Sequence, residues 1–299
     1  ESGAAVMCCS ELGDPRPSVA SNGSDFYVTW VSADFDVRGM RVPAAGPVTG
    51  TPVVLSRDND NHVRGHYDLD VTWTSVMYLV TWLDRVFRIE PPMQEPFVLR
   101  YARVTSGGVL LDTQRSETLD GVPFSSITAS ARRDGALLTV DYEDPAPSEM
   151  TRRHCIGVLL MTALGEPDDA YLLRCEDEPA AIAPILHAKL LPVSTGYLLV
   201  QPGRRYAPVF RDTIILTSSA DPHFNTLSPS TPLGPAGQEV AVANWNGSAL
   251  FVYNRADRDA NGTSVPRVFA LFMNAAGEGS MRRRSVRHGA PARMLQGTG

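Results

Sequence analysis

The chain has 299 residues, 43% of them hydrophobic and 20% charged, with a formal net charge of -6. This is ordinary globular composition with material for a large core. The negative balance argues against a nucleic-acid partner, which needs a basic surface. No apolar run approaches the roughly 20 residues of a bilayer-spanning helix. Lys189 is the single lysine, all other cationic side chains being arginine, which reads first as the mark of a GC-rich genome. The chain starts at Glu1, so a removed leader or a trimmed end is expected.

Near the start, Asn22-Gly23-Ser24-Asp25 reads as a tight turn and Phe26-Tyr27-Val28-Thr29-Trp30 as a β-branched and aromatic strand. The predicted strands around it are Ser18–Ser21, Asp25–Val31, Val37–Val42 and Pro52–Ser56. Val80-Thr81-Trp82 repeats Val28-Thr29-Trp30, and Asn246-Gly247-Ser248 repeats the turn ahead of Phe251-Val252. Asp134-Gly135 before Leu138-Thr139-Val140, and Gly196-Tyr197-Leu198-Leu199-Val200, complete five copies. A second signature follows most copies: an apolar strand ending in a small-residue turn, as at Gly46, Gly107, Gly165 and Gly277. The fourth copy, around Ile214-Ile215-Leu216-Thr217, lacks that glycine.

A fixed period of roughly 60 residues filled with short strands indicates propeller blades. The expected fold is all-β, a single five-bladed β-propeller of four-stranded antiparallel blades. The blades are expected at about 18–68, 69–122, 123–179, 180–236 and 237–299, with 1–17 closing the last. The alternative closing strand, Met281–Arg287, is dominated by arginine.

Gly23-Ser24-Asp25-Phe26-Tyr27-Val28-Thr29-Trp30, with Arg41-Val42-Pro43-Ala44-Ala45-Gly46 behind it, resembles the tandem repeats of bacterial secreted or envelope β-propellers. The similarity runs along most of the chain. It implies a fold and not an activity. Five-bladed propellers include tachylectin-like lectins and glycoside hydrolases of the arabinanase and invertase type, and neither set of active-site motifs has a close match here.

Connections between strands two and three, and between blades, share one propeller face, and the longest polar segments fall there. A ligand site is therefore expected on that face, at Asp34, Asp36, Asp84, Glu143, Asp144, Arg204 and Arg205. Asp257, Asp259 and Asn261, followed by Gly262, have calcium-loop spacing without the downstream acidic ligand, so a weak calcium site is expected, with a plain polar turn as the alternative. Asp58, Asp60, His62, His66, Asp68 and Asp70 form a polar stretch that reads as an inter-blade loop before a transition-metal site. Cys155 and Cys175 are equidistant from Gly165, so a hairpin turning there sets them opposite each other for a disulfide, which implies an oxidising compartment, with two buried free thiols as the alternative.

The functional expectation is a non-catalytic binding or scaffold module, secreted or envelope-associated, with a carbohydrate or protein ligand and no cofactor beyond weak calcium. The alternatives are a glycoside hydrolase, drawing paired carboxylates from the charged loops, and a subunit of an extracellular assembly.

Overall fold

The computed structural model describes residues 17–48, 50–56, 63–86, 97–112, 115–117, 124–144, 151–179, 188–194, 196–205, 211–219, 224, 231–235, 240–245, 248–258, 264–273 and 279–280. All regular structure among them is β. The first sheet holds β1 (Ser18–Ser21), β2 (Asp25–Val31), β3 (Val37–Pro43) and β4 (Val53–Ser56). The second holds β5 (Val63–Trp73), β6 (Met77–Val86), β7 (Phe97–Thr105) and β8 (Arg115–Glu117). The third holds β9 (Phe124–Arg132), β10 (Gly135–Asp144), β11 (Thr151–Thr162) and β12 (Pro167–Pro179). The fourth holds β13 (Lys189–Val193), β14 (Gly196–Arg205), β15 (Arg211–Ser219) and β16 (Thr231–Pro235). The fifth holds β17 (Val240–Trp245), β18 (Ser248–Arg258), β19 (Ser264–Met273) and β20 (Gly279–Ser280).

Every sheet is an antiparallel meander in sequence order. The first strands touch in succession, β1 with β5, β5 with β9, β9 with β13, and β13 with β17. They are the inner strands of five blades. Of the segment 1–17 expected to close the ring, residues 1–16 lie outside the described residues, and β20 is the fourth strand of the last sheet.

The period of two decides the core. In β6, Tyr78, Val80 and Trp82 pack against Tyr27, Val37 and Leu55 of blade one. The alternate residues Leu79 and Leu83 pack against Ile127, Ala129 and Leu138 of blade three. In β10, Leu138 and Val140 face blade two, while Leu137 joins Ala188, Leu190 and Leu199 of blade four. β6 and β10 are thus buried on both faces, which is why they read as nearly unbroken apolar runs. The Tyr27 ring stacks on Tyr78 at 5.1 Å between centroids. A Cβ on Gly39 would stand 2.5 Å from the Tyr27 hydroxyl, so the residue opposite that ring must be glycine. Burial pushes the Tyr27 phenol far up from its ordinary pKa.

The Asn22-Gly23 turn behaves as read. Asn22 Oδ1 accepts the backbone N–H of Ser24 at 2.9 Å and of Asp25 at 2.8 Å, and Gly23 has φ 90°. The polar segments taken as long loops are shorter than expected. β6 continues to Val86, β10 to Asp144, β14 to Arg205 and β18 to Arg258. Ladder hydrogen bonds carry these hairpins outward beyond the apolar core, into sequence too polar to read as strand.

Cys155 and Cys175 are direct partners on β11 and β12 and are joined by a disulfide, with Cα atoms 4.1 Å apart. Two register shifts separate them from the Gly165 turn, one between Leu160 and Met161 and one between Ile156 and Gly157.

Candidate functional site

The inner strand of a blade has one edge turned to the axis, where its backbone N–H groups have no strand partner. Each needs an acceptor. The preceding blade supplies it. Ser18 Oγ in β1 accepts the Val71 N–H at 3.2 Å. Asp70 Oδ2 in β5 accepts the Ala129 N–H at 2.7 Å, and Asp68 Oδ2 accepts the Ile127 N–H at 3.3 Å. Thr139 Oγ1 in β10 accepts the Leu190 N–H at 2.9 Å, and Asp141 Oδ2 accepts the Ala188 N–H at 3.0 Å.

Ser18, Asp70, Thr128 and Lys189 occupy one level of four successive inner strands. Their cross-strand partners are Thr29, Thr81, Thr139 and Val200, the same place in each repeat. At that level Asp70 is the hub. Its Oδ1 accepts the Ser18 hydroxyl at 2.6 Å and the Val71 N–H at 2.9 Å. Its Oδ2 takes the Lys189 ammonium at 3.3 Å in addition to the Ala129 N–H. Lysine can only donate. At the blade-three place Thr128 donates its hydroxyl to the Ala188 carbonyl at 2.7 Å, and at the blade-four place the chain puts a cation, which reaches Asp70 two blades away. The pair is mostly buried, with side-chain exposures of 23% for Lys189 and 17% for Asp70.

Asp68, two residues nearer the start of β5, has φ 50°. The β5–β6 register shifts between Tyr67 and Asp70, so Asp68 sits in a bulge. Bulges next to functional sites re-aim a side chain, and a non-glycine residue at positive φ is held there by its surroundings.

Behind this level lies a second polar group, shut into the seam between blades three and four. Asp141 is fully buried and accepts the Ser126 hydroxyl at 2.6 Å. His154 Nε2 lies 3.3 Å from Asp141 Oδ1, an ion pair when the imidazole is protonated.

The residues expected on the ligand face divide. Asp34 and Asp36 lie in the connection between β2 and β3 and pair with Arg38 at 3.4 and 3.0 Å. Asp84 is not a loop residue: the longer β6 carries it inside the blade, fully buried, with Arg100 Nε at 3.1 Å. Glu143 and Asp144 stand in β10 opposite His154 and Arg153, and Arg204 and Arg205 in β14 opposite Asp212 and Arg211. Asp257 is in β18, paired with Val265, while Asp259 and Asn261 lie outside the described residues. His62 is also outside them, and His66 is in β5. Among the described residues no group of three or more His, Cys, Asp or Glu is arranged to hold a metal.

Sequence reasoning saw Asp68 and Asp70 as part of a polar loop, and missed Ser18, Lys189, Asp141 and His154 as partners. The signal was in the repeat. Ser18, Asp70 and Lys189 replace one another at equal distance from the repeated strand, and Lys189 is the only lysine.

No protein-family model and no curated protein matches the sequence. Solved structures do match in fold. A thermostable family-43 glycoside hydrolase superposes with a TM-score of 0.55 at 12% identity, over 91% of this chain and 93% of that one. An endo-arabinase from Bacteroides thetaiotaomicron gives 0.53 at 12% identity, over 88% and 95%. An α-L-arabinofuranosidase from Lactobacillus brevis gives 0.50 at 11% identity, over 88% and 92%. The fold is the five-bladed β-propeller of these enzymes. The same likeness overturns the expectation of a non-catalytic binding or scaffold module, because these neighbours are glycoside hydrolases, and it backs the hydrolase alternative. No helix among the described residues is long and apolar enough to cross a membrane.

Proposed function

We propose that the chain is a glycoside hydrolase acting on arabinofuranose-bearing glycans, with its reaction centre on the propeller axis at Asp68. The observation that carries this reading is the axial carboxylate pair of β5, one member of which is strained and the other saturated. Fold alone does not supply function. Glycosidases need a carboxylate to activate water or attack the sugar, and a second to protonate the leaving group. Asp70 is engaged by groups from three other blades, so it orders the floor of the site. Asp68, re-aimed by its bulge, is the group assigned to the chemistry. Lys189 fixes a positive charge at Asp70.

Release of reducing sugar from arabinan, and of nitrophenol from 4-nitrophenyl α-L-arabinofuranoside, tests the reading. Asp68→Asn should lower kcat/KM by about 10²–10⁴-fold, the usual contribution of a positioned acid or base. A wild-type protein that releases no sugar overturns it. The disulfide supports a secreted enzyme. The Asp257, Asp259 and Asn261 segment is proposed as a weak calcium loop. Millimolar calcium should raise the melting temperature of the wild type and not of Asp257→Ala.

A further inference from the structure

The opposite end of the molecule holds a cavity of about 580 Å³. It lies between two turns, β9 to β10 and β13 to β14, on the face away from the inter-blade connections. Arg132, Arg133, Asp134, Pro192, Val193 and Tyr197 line it with Gly196. Its size falls within the roughly 300–1,000 Å³ of small-molecule sites.

Its chemistry is specific. Arg132 and Asp134 face each other with two hydrogen bonds, Nη2 to Oδ2 at 2.9 Å and Nε to Oδ1. That pairing holds the Asp134 carboxyl below its ordinary pKa and the Arg132 guanidinium above its own. Asp134 therefore stays ionised and can still accept hydroxyl hydrogen bonds on its free lone pairs. Arg133, exposed beside it, makes no ion pair among the described residues. Two guanidinium groups and one carboxylate line the cavity, and the Asp168 carboxylate lies near enough to act on Arg132, which leaves Arg133 as the cation without an ion pair among the described residues. Tyr197 packs against Phe224 at 4.8 Å between centroids with the rings tilted, and Phe224 meets Tyr171 edge-on at 5.8 Å, so an aromatic cluster backs the wall.

We propose that this cavity binds the uronic acid residue of an acidic glycan, at a site separate from the reaction centre. An unpaired guanidinium matches a planar carboxylate bidentately. The tyrosine ring offers an apolar face to the sugar C–H groups, and Asp134 takes ring hydroxyls. The choice of a glycan rests on the hydrolase reading; the carboxylate preference rests on Arg133 alone.

Titration calorimetry with trigalacturonate, arabinotriose and triglutamate tests it on the whole chain. Trigalacturonate should bind, more weakly at higher salt, and at least tenfold more weakly to Arg133→Ala and to Tyr197→Ala. Asp68→Asn should bind it as the wild type does, and Arg133→Ala should hydrolyse 4-nitrophenyl α-L-arabinofuranoside as the wild type does. Circular dichroism of both cavity variants should match the wild type. Equal binding of arabinotriose, equal competition by triglutamate, or undiminished binding by Arg133→Ala would overturn the proposal. Uronate binding without hydrolysis would remove the enzyme reading and leave this site standing; hydrolysis without uronate binding would do the reverse.

Discussion

Asp70 and Asp141 perform the same task in two surroundings. Each accepts a backbone N–H from the next blade's inner strand, Ala129 for Asp70 and Ala188 for Asp141. Each also binds a serine hydroxyl at 2.6 Å. The difference is the counter-charge. Asp70 is partly open to the axis and is held by a lysine from two blades away. Asp141 is closed in, facing a histidine two rungs along the neighbouring strand. An axial carboxylate can borrow charge from any blade, whereas a seam carboxylate must find it within its own sheet. The first arrangement couples blades one to four at a point, and the second couples blades three and four along a face.

The largest effect should come from Asp70→Ala. It strands the Lys189 ammonium and removes an acceptor from Ala129 together with contacts to Ser18 and Val71. Breaking such a pair by removing one partner costs about 3–5 kcal/mol. Denaturant unfolding should show that loss. A loss below about 1 kcal/mol would mean water replaces the whole network, and the axis would not be a structural joint.

Asp141→Asn should come next. It keeps the shape but removes the charge facing His154; Ser126 and Ala188 both donate to Oδ2, so the amide keeps its oxygen there and turns its N–H₂ toward His154 Nε2 in place of Oδ1. One buried group left unsatisfied costs about 1–3 kcal/mol. If Asp141→Asn proves as costly as Asp70→Ala, the seam and the axis are equivalent joints and the contrast drawn between them fails.

Lys189→Met separates the charge from the acceptor network. Asp70 keeps two backbone N–H groups and the Ser18 hydroxyl. The loss should therefore be about 1–2 kcal/mol, short of the full cost of breaking a buried pair. The double variant with Asp70→Asn should lose less than the two single losses added together, because they share one contact. Strict additivity would show that Lys189 does not act through Asp70.

The ring and the strand pattern were legible because period-two burial and turn chemistry are local. Val28, Val80 and Leu138 announce a buried middle strand wherever they occur. The axial network was not legible, because it joins residues 52 and 119 positions apart through side chains that look like surface polar residues. Asp84 shows the same limit. In sequence it is one more acid after an apolar strand; in the fold, Arg100 on the adjacent strand pulls it inside. The Cys155 pairing was legible only through compensation. Met161 faces Pro167 at the turn, so symmetry there is not centred on Gly165, and two register shifts bring Cys155 opposite Cys175.

The smallest effect should come from the rim. Asp34 and Asp36 also pair with an arginine, so a count of ion pairs would rank them with Asp70. Their partner Arg38 belongs to the same blade, four and two residues away in sequence. Among the described residues, neither makes a hydrogen bond to another blade. Asp34 has a side-chain exposure of 80%, and water screens what remains. Exposed pairs such as Asp34–Arg38 contribute about 0–1 kcal/mol, whereas Asp36, at 16% exposure, is as covered as Asp70 and differs from it in keeping its pair within one blade. Asp34→Asn should leave the denaturant midpoint unchanged within error, and Asp36→Asn should lower it only slightly. Hydrolysis by both variants should follow the wild type if the chemistry is axial. A hundredfold fall in kcat/KM for Asp36→Asn with unchanged stability would move the reaction centre from the axis to the rim of blade one.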